Sequence, residues 1–412
     1  FKGKKISIVF GCGGNRDQSK RPMMGKIANF YCDKIYLTDD NPRNENPKKI
    51  RSAVKKMIDN SKVCEISNRS YAIKKAIVDL KVGDILLVTG KGHENIQDYG
   101  SYRKLFSDRS EILKNIKIKN KNLFNDIKLN ILKEISGSDK ISKKTKINKA
   151  SINSKEIKKN DIFFAIKGKK KDGNLFIKEA FKRGAALSVV NRFKKGSQEI
   201  IVKNTLKFLT KTSSILRENS NSQIIGITGS CGKTSLKELL GKTLKKISNT
   251  TYSPKSFNNK YGVPLSLFNL NQDDDFGIFE IGMDKKGEIN NLSKIIKPDL
   301  GIITNISYAH AKNFKNIKHI AIAKSEIIGN IKDGGSLILN ADDPFYNFHK
   351  KIAQKRNLKI KSFSLVKKSS EINLHLVKKE NMKYKVYINI DKMTKYFYIN
   401  SNFENHIKNL LA

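Results

Sequence analysis

The sequence predicts an α/β chain of about three domains, and three observations carry that expectation. Short apolar runs alternate with helix-spaced stretches from the first residues onward, as in largely parallel sheets covered by helices. A glycine-rich turn, Thr228-Gly-Ser-Cys-Gly-Lys-Thr234, separates the apolar run 224–228 from a helical pattern that starts at Thr234 and continues through Leu236, Leu239, Leu240 and Leu244. The 412 residues also suffice for each unit to bury a core of its own.

The first domain is expected over 1–115. Its strands are read at 5–10, 34–38, 63–66 and 84–89, with helical spacing over 47–60 and 70–80. Three loops at strand ends carry its unusual residues: Gly11-Cys-Gly-Gly-Asn-Arg-Asp17, Asp39-Asp-Asn-Pro-Arg43 and Gly90-Lys-Gly-His-Glu94. Binding groups of open α/β sheets gather at such ends. Ile112, Leu113 and Ile116 suggest a terminal helix, and the Lys- and Asn-rich stretch 116–134 reads as a linker. A second small domain is expected over 135–217, with a helix over 175–183 and a strand over 186–190. The third, 218–412, opens with the glycine-rich turn and adds strands at 277–281, 300–305 and 336–340.

The turn at 228–234 suits a polyphosphate. Its glycines let backbone N–H groups approach an anion, and the helix start adds partial positive charge. Lys233 would reach the terminal phosphates of ATP and the Thr234 hydroxyl would help hold Mg²⁺. Thr228, Gly229, Ser230, Cys231, Gly232 and Ser235 complete the candidate ATP cradle. Ile227 stands where the strict P-loop pattern has its first glycine. Downstream, Glu280 ends a strand, where a carboxylate could take Mg²⁺. Taken singly, His310, Lys324, Asn340 and Asp342 read as structural, surface or turn residues.

A formal charge of +44 fits nucleic acid or an acidic membrane surface in principle. The lysines run along the whole chain, however, without an aromatic-interleaved stripe or zinc-finger spacing, so no nucleic-acid partner is expected. Cys12, Cys32, Cys64 and Cys231 lie far apart and read as reduced thiols of a cytoplasmic protein. No apolar run approaches membrane-spanning length, so no membrane insertion is expected. The chain opens on Phe1 and stops at Leu411-Ala412, which suggests an excised or partial chain.

The ordered segments change the reading of the single residues. Thr228-Gly-Ser-Cys-Gly-Lys-Thr-Ser235, Ser256-Phe-Asn-Asn-Lys-Tyr-Gly-Val-Pro264, Phe279-Glu-Ile-Gly-Met283, Thr304-Asn-Ile-Ser-Tyr-Ala-His310, Ala321-Ile-Ala-Lys-Ser-Glu326 and Leu339-Asn-Ala-Asp-Asp343 together resemble the ATP-dependent Mur ligases of peptidoglycan synthesis. The stretch 135–412 is similar to the MurF branch, which joins D-Ala-D-Ala to UDP-MurNAc-tripeptide. That resemblance implies a UDP-sugar-binding domain followed by the central ATPase domain. It implies Glu280, His310 and Lys324 (as a carbamate) as Mg²⁺ ligands, with Lys233, Lys324 and His310 catalytic. It places Asn340 and Asp342 near the adenosine, and Ser154, Asn258 and Asn259 on the UDP-MurNAc-peptide. Two family motifs depart, appearing as Asn153-Ser154-Lys155 and Asp172-Gly173-Asn174.

Residues 1–115 instead resemble the Rossmann-like C-terminal domain of the MurE branch, through Val9-Phe-Gly-Cys-Gly-Gly-Asn-Arg-Asp17, Lys20-Arg-Pro22, Asp40-Asn-Pro-Arg43 and Gly90-Lys-Gly-His-Glu94. This implies meso-diaminopimelate contacts at Arg16, Asp40, Asn41, Pro42, Arg43, Gly90 and Glu94. The chemistry fits a zwitterion, since the two arginines can fork onto a carboxylate while Glu94 takes an ammonium. The order then reads as the middle of a MurE–MurF fusion, without the upstream MurE domains or the MurF C-terminal domain. A basic P-loop nucleic-acid-binding protein, a folylpolyglutamate-synthase-like ligase and a non-catalytic scaffold derived from these ligases stay open as alternatives.

Overall fold

The computed structural model describes residues 4–138, 141–142, 144–168, 171–192, 198–308, 313–391, 393–400 and 404–412. The chain divides into two units, Phe1–Leu123 and Phe124–Ala412.

In the first unit, strands β1 (Ile6–Phe10), β2 (Lys34–Leu37), β3 (Val63–Glu65) and β4 (Ile85–Val88) form a parallel sheet in the order β3-β2-β1-β4. Helices α1 (Lys20–Tyr31), α2 (Pro47–Lys55) and α3 (Arg69–Asp79) alternate with the strands. Successive strand residues face opposite sides, so both faces need cover. Val9 and Tyr36 pack with Ala72, Ile73 and Ala76 of α3, while Phe10, Ile35 and Leu37 pack with Ala28 and Val54 of α1 and α2. Asn46 caps α2 by accepting from the amides of Lys48 and Lys49, and Pro47 presets the first helical φ. A short hairpin, β5 (Ile96–Asp98) with β6 (Arg103–Leu105), follows the sheet.

Helix α4 runs unbroken over Asp108–Ser136, so the stretch 116–134 expected to be a linker is helical. Its apolar positions explain the difference. Lys119 fastens the first half by donating to the carbonyls of Ile77 and Leu80. In the second half, Leu129, Ile131 and Leu132 are buried in a core with Ile162, Phe164, Leu187 and Val189.

The second unit holds two sheets. β7 (Ala150–Ser151), β8 (Ile162–Phe164), β9 (Leu187–Val190) and β10 (Glu199–Ile201) form a parallel sheet with helices α5 (Ile177–Lys182) and α6 (Thr205–Glu218). The larger sheet has nine strands: β11 (Gln223–Thr228), β12 (Thr250–Tyr252), β13 (Phe276–Glu280), β14 (Leu300–Ile303), β15 (Ser336–Asn340), β16 (Lys359–Ser364), β17 (Ile372–Glu380), β18 (Lys383–Ile390) and β19 (Met393–Ile399). Their order is β12-β13-β11-β14-β15-β16-β17-β18-β19, parallel up to β17 and antiparallel beyond it. Helices α7 (Lys233–Leu244), α8 (Gly262–Phe268), α9 (Glu288–Ile296), α10 (Ile317–Ser325), α11 (Tyr346–Lys355) and α12 (Glu404–Leu411) complete the unit. Because β11, β13, β14 and β15 run parallel, the loops that follow them all emerge at one edge of the sheet.

Candidate active site

The strand β11 ends at Thr228, and α7 begins five residues later. Between them the loop is drawn onto the segment after β14. The Ser230 amide donates to Asn305 O at 2.9 Å, and the Cys231 amide to Asn305 Oδ1 at 2.9 Å. The Thr304 hydroxyl donates to Cys231 O at 2.6 Å, and Ser230 and Ser307 exchange two further bonds. Gly229 sits at φ +146°, and a Cβ there would lie 1.9 Å from Thr304 Oγ1. Only glycine fits that approach. Helix α7 has no side chain capping its start, and its first bond runs from the Leu236 amide to Gly232 O. The preceding amides form the helix-start donor group that suits an anion. On the far side of Gly232 stands Asn409 of α12, whose Oδ1 lies 2.8 Å from where a Cβ would be.

Two lysines converge on this loop. Lys233 Nζ donates to Gly229 O at 2.8 Å and Ser230 O at 3.1 Å. Lys324 Nζ, on α10, donates to the same Gly229 O at 2.7 Å. Burial lowers the pKa of Lys233, with Glu280 opposing that shift in part. Lys324 is buried more completely, at 1% exposure, and burial together with the charge of Lys233 pushes its pKa down to about 7. Glu280, at the end of β13, accepts from the Thr234 hydroxyl at 2.8 Å and from Asn258 Nδ2 at 2.8 Å.

The structure therefore brings Lys233, Thr234, Glu280, Asn258 and Lys324 together around the glycine-rich loop. His310 lies outside the described residues. Asn340 and Asp342 sit at the same sheet edge, where Asp342 accepts from the Ser364 hydroxyl and from the Leu365 amide. The adjacent Asp343 accepts from the Ile306 amide at 2.7 Å and ties the β15 loop to the β14 loop. Asn259 accepts from the Tyr261 and Gly262 amides and so shapes the start of α8. Ser154 belongs to the smaller sheet's side, where its hydroxyl donates to Glu179 at 2.7 Å. Asn305, Ser307 and Asp343 were not picked out from the sequence, although their segments were, because an Asn, Ser or Asp after a strand has no signal to separate it from a turn.

Among the described residues, no three His, Cys, Asp or Glu side chains gather as a metal-holding group. The Thr234 hydroxyl and the Glu280 carboxylate are hard oxygen donors. They fit Mg²⁺, which characteristically takes one or two protein oxygens and completes its shell with phosphate and water.

The three loops of the first unit also meet. Asn41 Nδ2 donates to Glu94 Oε2 at 2.9 Å, while Asn41 Oδ1 accepts from Lys91 Nζ at 2.8 Å and from the Asp98 amide at 2.9 Å. Arg43 Nη1 donates to Gly14 O at 2.7 Å, and the Gly14 amide returns a bond to Asn41 O at 2.8 Å. A side chain at Gly14 would run into the Pro42 carbonyl, 1.8 Å from the Cβ position. Asp40 lies 3.5 Å from the buried Lys91 and contacts the Gly90 Cβ position at 2.8 Å. The Asn41 hydrogen bond, followed by Lys91, lowers the Glu94 pKa, so Glu94 presents a carboxylate near neutrality. Arg16 is exposed at the rim. Lys91, missed in the sequence as one lysine among many, is the buried cation that orders Asp40, Asn41 and Glu94.

Replacing Gly229 with alanine is expected to weaken nucleotide binding at least about tenfold and to destabilise the unit by about 1–3 kcal/mol, through the clash with Thr304 and the strained φ. Fluorescent-nucleotide titration and thermal unfolding check both; unchanged values in the variant would mean the loop geometry is not as described.

Three stretches match domains of one kind. Residues 1–92 match the Mur ligase glutamate ligase domain, 146–216 the Mur ligase family catalytic domain, and 227–412 the Mur ligase middle domain. The UDP-N-acetylmuramoyl-tripeptide–D-alanyl-D-alanine ligase of Rickettsia prowazekii is 34% identical over 265 residues, covering 64% of this chain and 57% of that one. The UDP-N-acetylmuramoyl-L-alanyl-D-glutamate–2,6-diaminopimelate ligase of Rickettsia rickettsii is 50% identical over 118 residues, covering 29% of this chain and 25% of that one. The crystal structure of the MurF ligase of Thermotoga maritima in complex with ADP matches with a TM-score of 0.56 at 26% identity, over 64% of this chain and 61% of that one. The chain thus spans from a quarter to about three fifths of these proteins. With all three matched stretches falling in a single family, the chain is built of Mur ligase family domains.

Proposed function

We propose that residues 124–412 carry the nucleotide and substrate sites of an ATP-dependent peptidoglycan-precursor ligase of the MurF type, and that residues 1–123 carry a MurE-type half-site for meso-diaminopimelate. The observation that supports the first part best is the convergence of Lys233, Lys324, Thr234 and Glu280 on one glycine-rich loop. Relatives named for both activities support the pairing of the two. The small molecules read as partners are UDP-MurNAc-peptide, D-Ala-D-Ala and meso-diaminopimelate, with a cytoplasmic site of action. Among the described residues no helix is long and apolar enough to cross a membrane.

In this reading the terminal carboxylate of UDP-MurNAc-tripeptide attacks the γ-phosphorus of ATP, ADP leaves, and an acyl phosphate forms. The amine of D-Ala-D-Ala then attacks the carbonyl carbon, phosphate leaves, and the amine proton is released. Lys233 offsets charge on the transferring phosphoryl group, and the amides at the start of α7 hold the remaining phosphates. Thr234 and Glu280 would hold Mg²⁺, which supplies further charge neutralisation when bound. Lys324 is suited to carbamate formation: a pKa of about 7 leaves much of the amine neutral, the form that reacts with CO₂. On the first unit, Glu94 would take the ammonium of diaminopimelate, and Arg16 and Arg43 its carboxylate.

Two measurements test this reading. The complete polypeptide containing this chain, given ATP, UDP-MurNAc-tripeptide and D-Ala-D-Ala, is expected to release phosphate, and Lys233→Ala to lower that rate by about a thousandfold or more. No release from verified substrates and folded protein would contradict the ligase assignment. At fixed dissolved CO₂, the trapped carbamate on Lys324 should rise as the pH passes upward through about 7, because deprotonation supplies the reactive amine. Mass spectrometry locates the adduct; labelling of exposed lysines with none on Lys324 would remove its proposed role.

A further inference from the structure

Lys237 lies one turn along α7 from Lys233, and the function proposed above leaves it without a task. Its side chain is fully buried. The Nζ donates to the backbone carbonyl of Lys255, lies 3.4 Å from Glu238 Oε1, and lies 3.9 Å from Glu280 Oε2. A buried ammonium is tolerated only when paired and hydrogen-bonded, so these contacts have to be satisfied together.

The partner carbonyl belongs to a residue under backbone strain. Lys255 sits at φ +49°, a left-handed conformation that a lysine adopts only when its surroundings impose it. The Lys255 side chain continues outward to Glu156, 3.7 Å away, in the turn Ser154–Glu156. At its other end the loop is held by Asn258, which donates to Glu280 and accepts from the Gly282 amide at 2.8 Å. Glu280 and Lys237 thus grip the same loop from the nucleotide side, and Glu156 meets it from the side of the smaller sheet.

We infer that Lys237 is a positioning residue that couples the nucleotide-side carboxylate Glu280 to the loop 253–259 and, through Lys255, to the turn bearing Ser154. The inference rests on the reading of this site as one for nucleotide and UDP-peptide. Lys237 Nζ reaches Glu280 with one contact and holds the strained Lys255 carbonyl with another, so whatever engages Glu280 on the nucleotide side is passed to the loop. The nucleotide side therefore sets the geometry of the loop that faces the peptide substrate.

Amide hydrogen exchange over 253–262, measured on the 412-residue chain with and without MgADP, tests this. In Lys237→Met the loop should exchange about tenfold faster than in the wild type, the scale of a lost charge-assisted hydrogen bond. MgADP should slow loop exchange in the wild type and leave it unchanged in the variant, while MgADP affinity itself moves by less than about threefold. Lys237→Gln, which keeps a polar terminus, is measured alongside in case the methionine variant does not fold, and should show the same loss of MgADP protection. Unaltered loop exchange in the folded variants, or protection by MgADP that persists without Lys237, would overturn the inference. A wild-type chain that fails to bind MgADP would count against the nucleotide reading instead, and exchange of the free loop would still decide whether Lys237 holds it.

Discussion

Two buried lysine amines share one backbone carbonyl. Lys233 and Lys324 approach Gly229 O from different helices, both largely out of water, and the charge of Glu280 acts on Lys233. Burial is the main cause of the depressed Lys324 pKa, and the charge of Lys233 beside it adds a like-charge repulsion. A bound polyphosphate would relieve it. The loop glycines, the uncapped start of α7 and the Thr234–Glu280 pair all serve this arrangement: they bring backbone donors and hard oxygen ligands to the place where the two lysine side chains already point.

Parallel strands make that concentration possible. The segments after β11, β13, β14 and β15 are spread over more than a hundred residues of sequence, yet they meet at one sheet edge because their strands run in the same direction. Lateral bonds then fix them: Thr304 and Asn305 to the glycine-rich loop, Asp343 to the segment after β14. The first unit repeats the device on a smaller scale. Loops after β1, β2 and β4 meet there around Asn41, whose side chain bonds to Glu94, Lys91 and the Asp98 amide.

Much of this was legible in the sequence because burial on both faces leaves near-continuous apolar runs. The strand at 336–340 was read with its observed bounds, and those at 5–10, 34–38 and 63–66 within a residue at each end. The glycine-rich turn was legible for a different reason, as a motif whose chemistry dictates its residues. What escaped lacked contrast. Helix α1 exposes Met23, Ile27, Phe30 and Tyr31, which blurs its apolar face. The β17–β19 meander alternates Val386 and Ile388, turned inward, with lysine, tyrosine and asparagine, a weak signal in a chain where lysine is everywhere. The stretch 116–134 reads as a linker by composition, while Leu129 and Leu132 are spaced to bury one face of a helix. Lys237 and Lys91 could not have been singled out by sequence, because what distinguishes them is burial.

The most direct test of the central claim is a calorimetric titration of the 412-residue chain with MgADP, for the wild type and for Lys233→Ala. One binding site per chain is expected, weakened about a hundredfold by loss of the lysine that reaches over the loop, in keeping with the worth of a charge-assisted contact in a dry site. Equal affinity in the folded variant would show that the two buried lysines are not arranged to receive a nucleotide, and the account would fail at its centre.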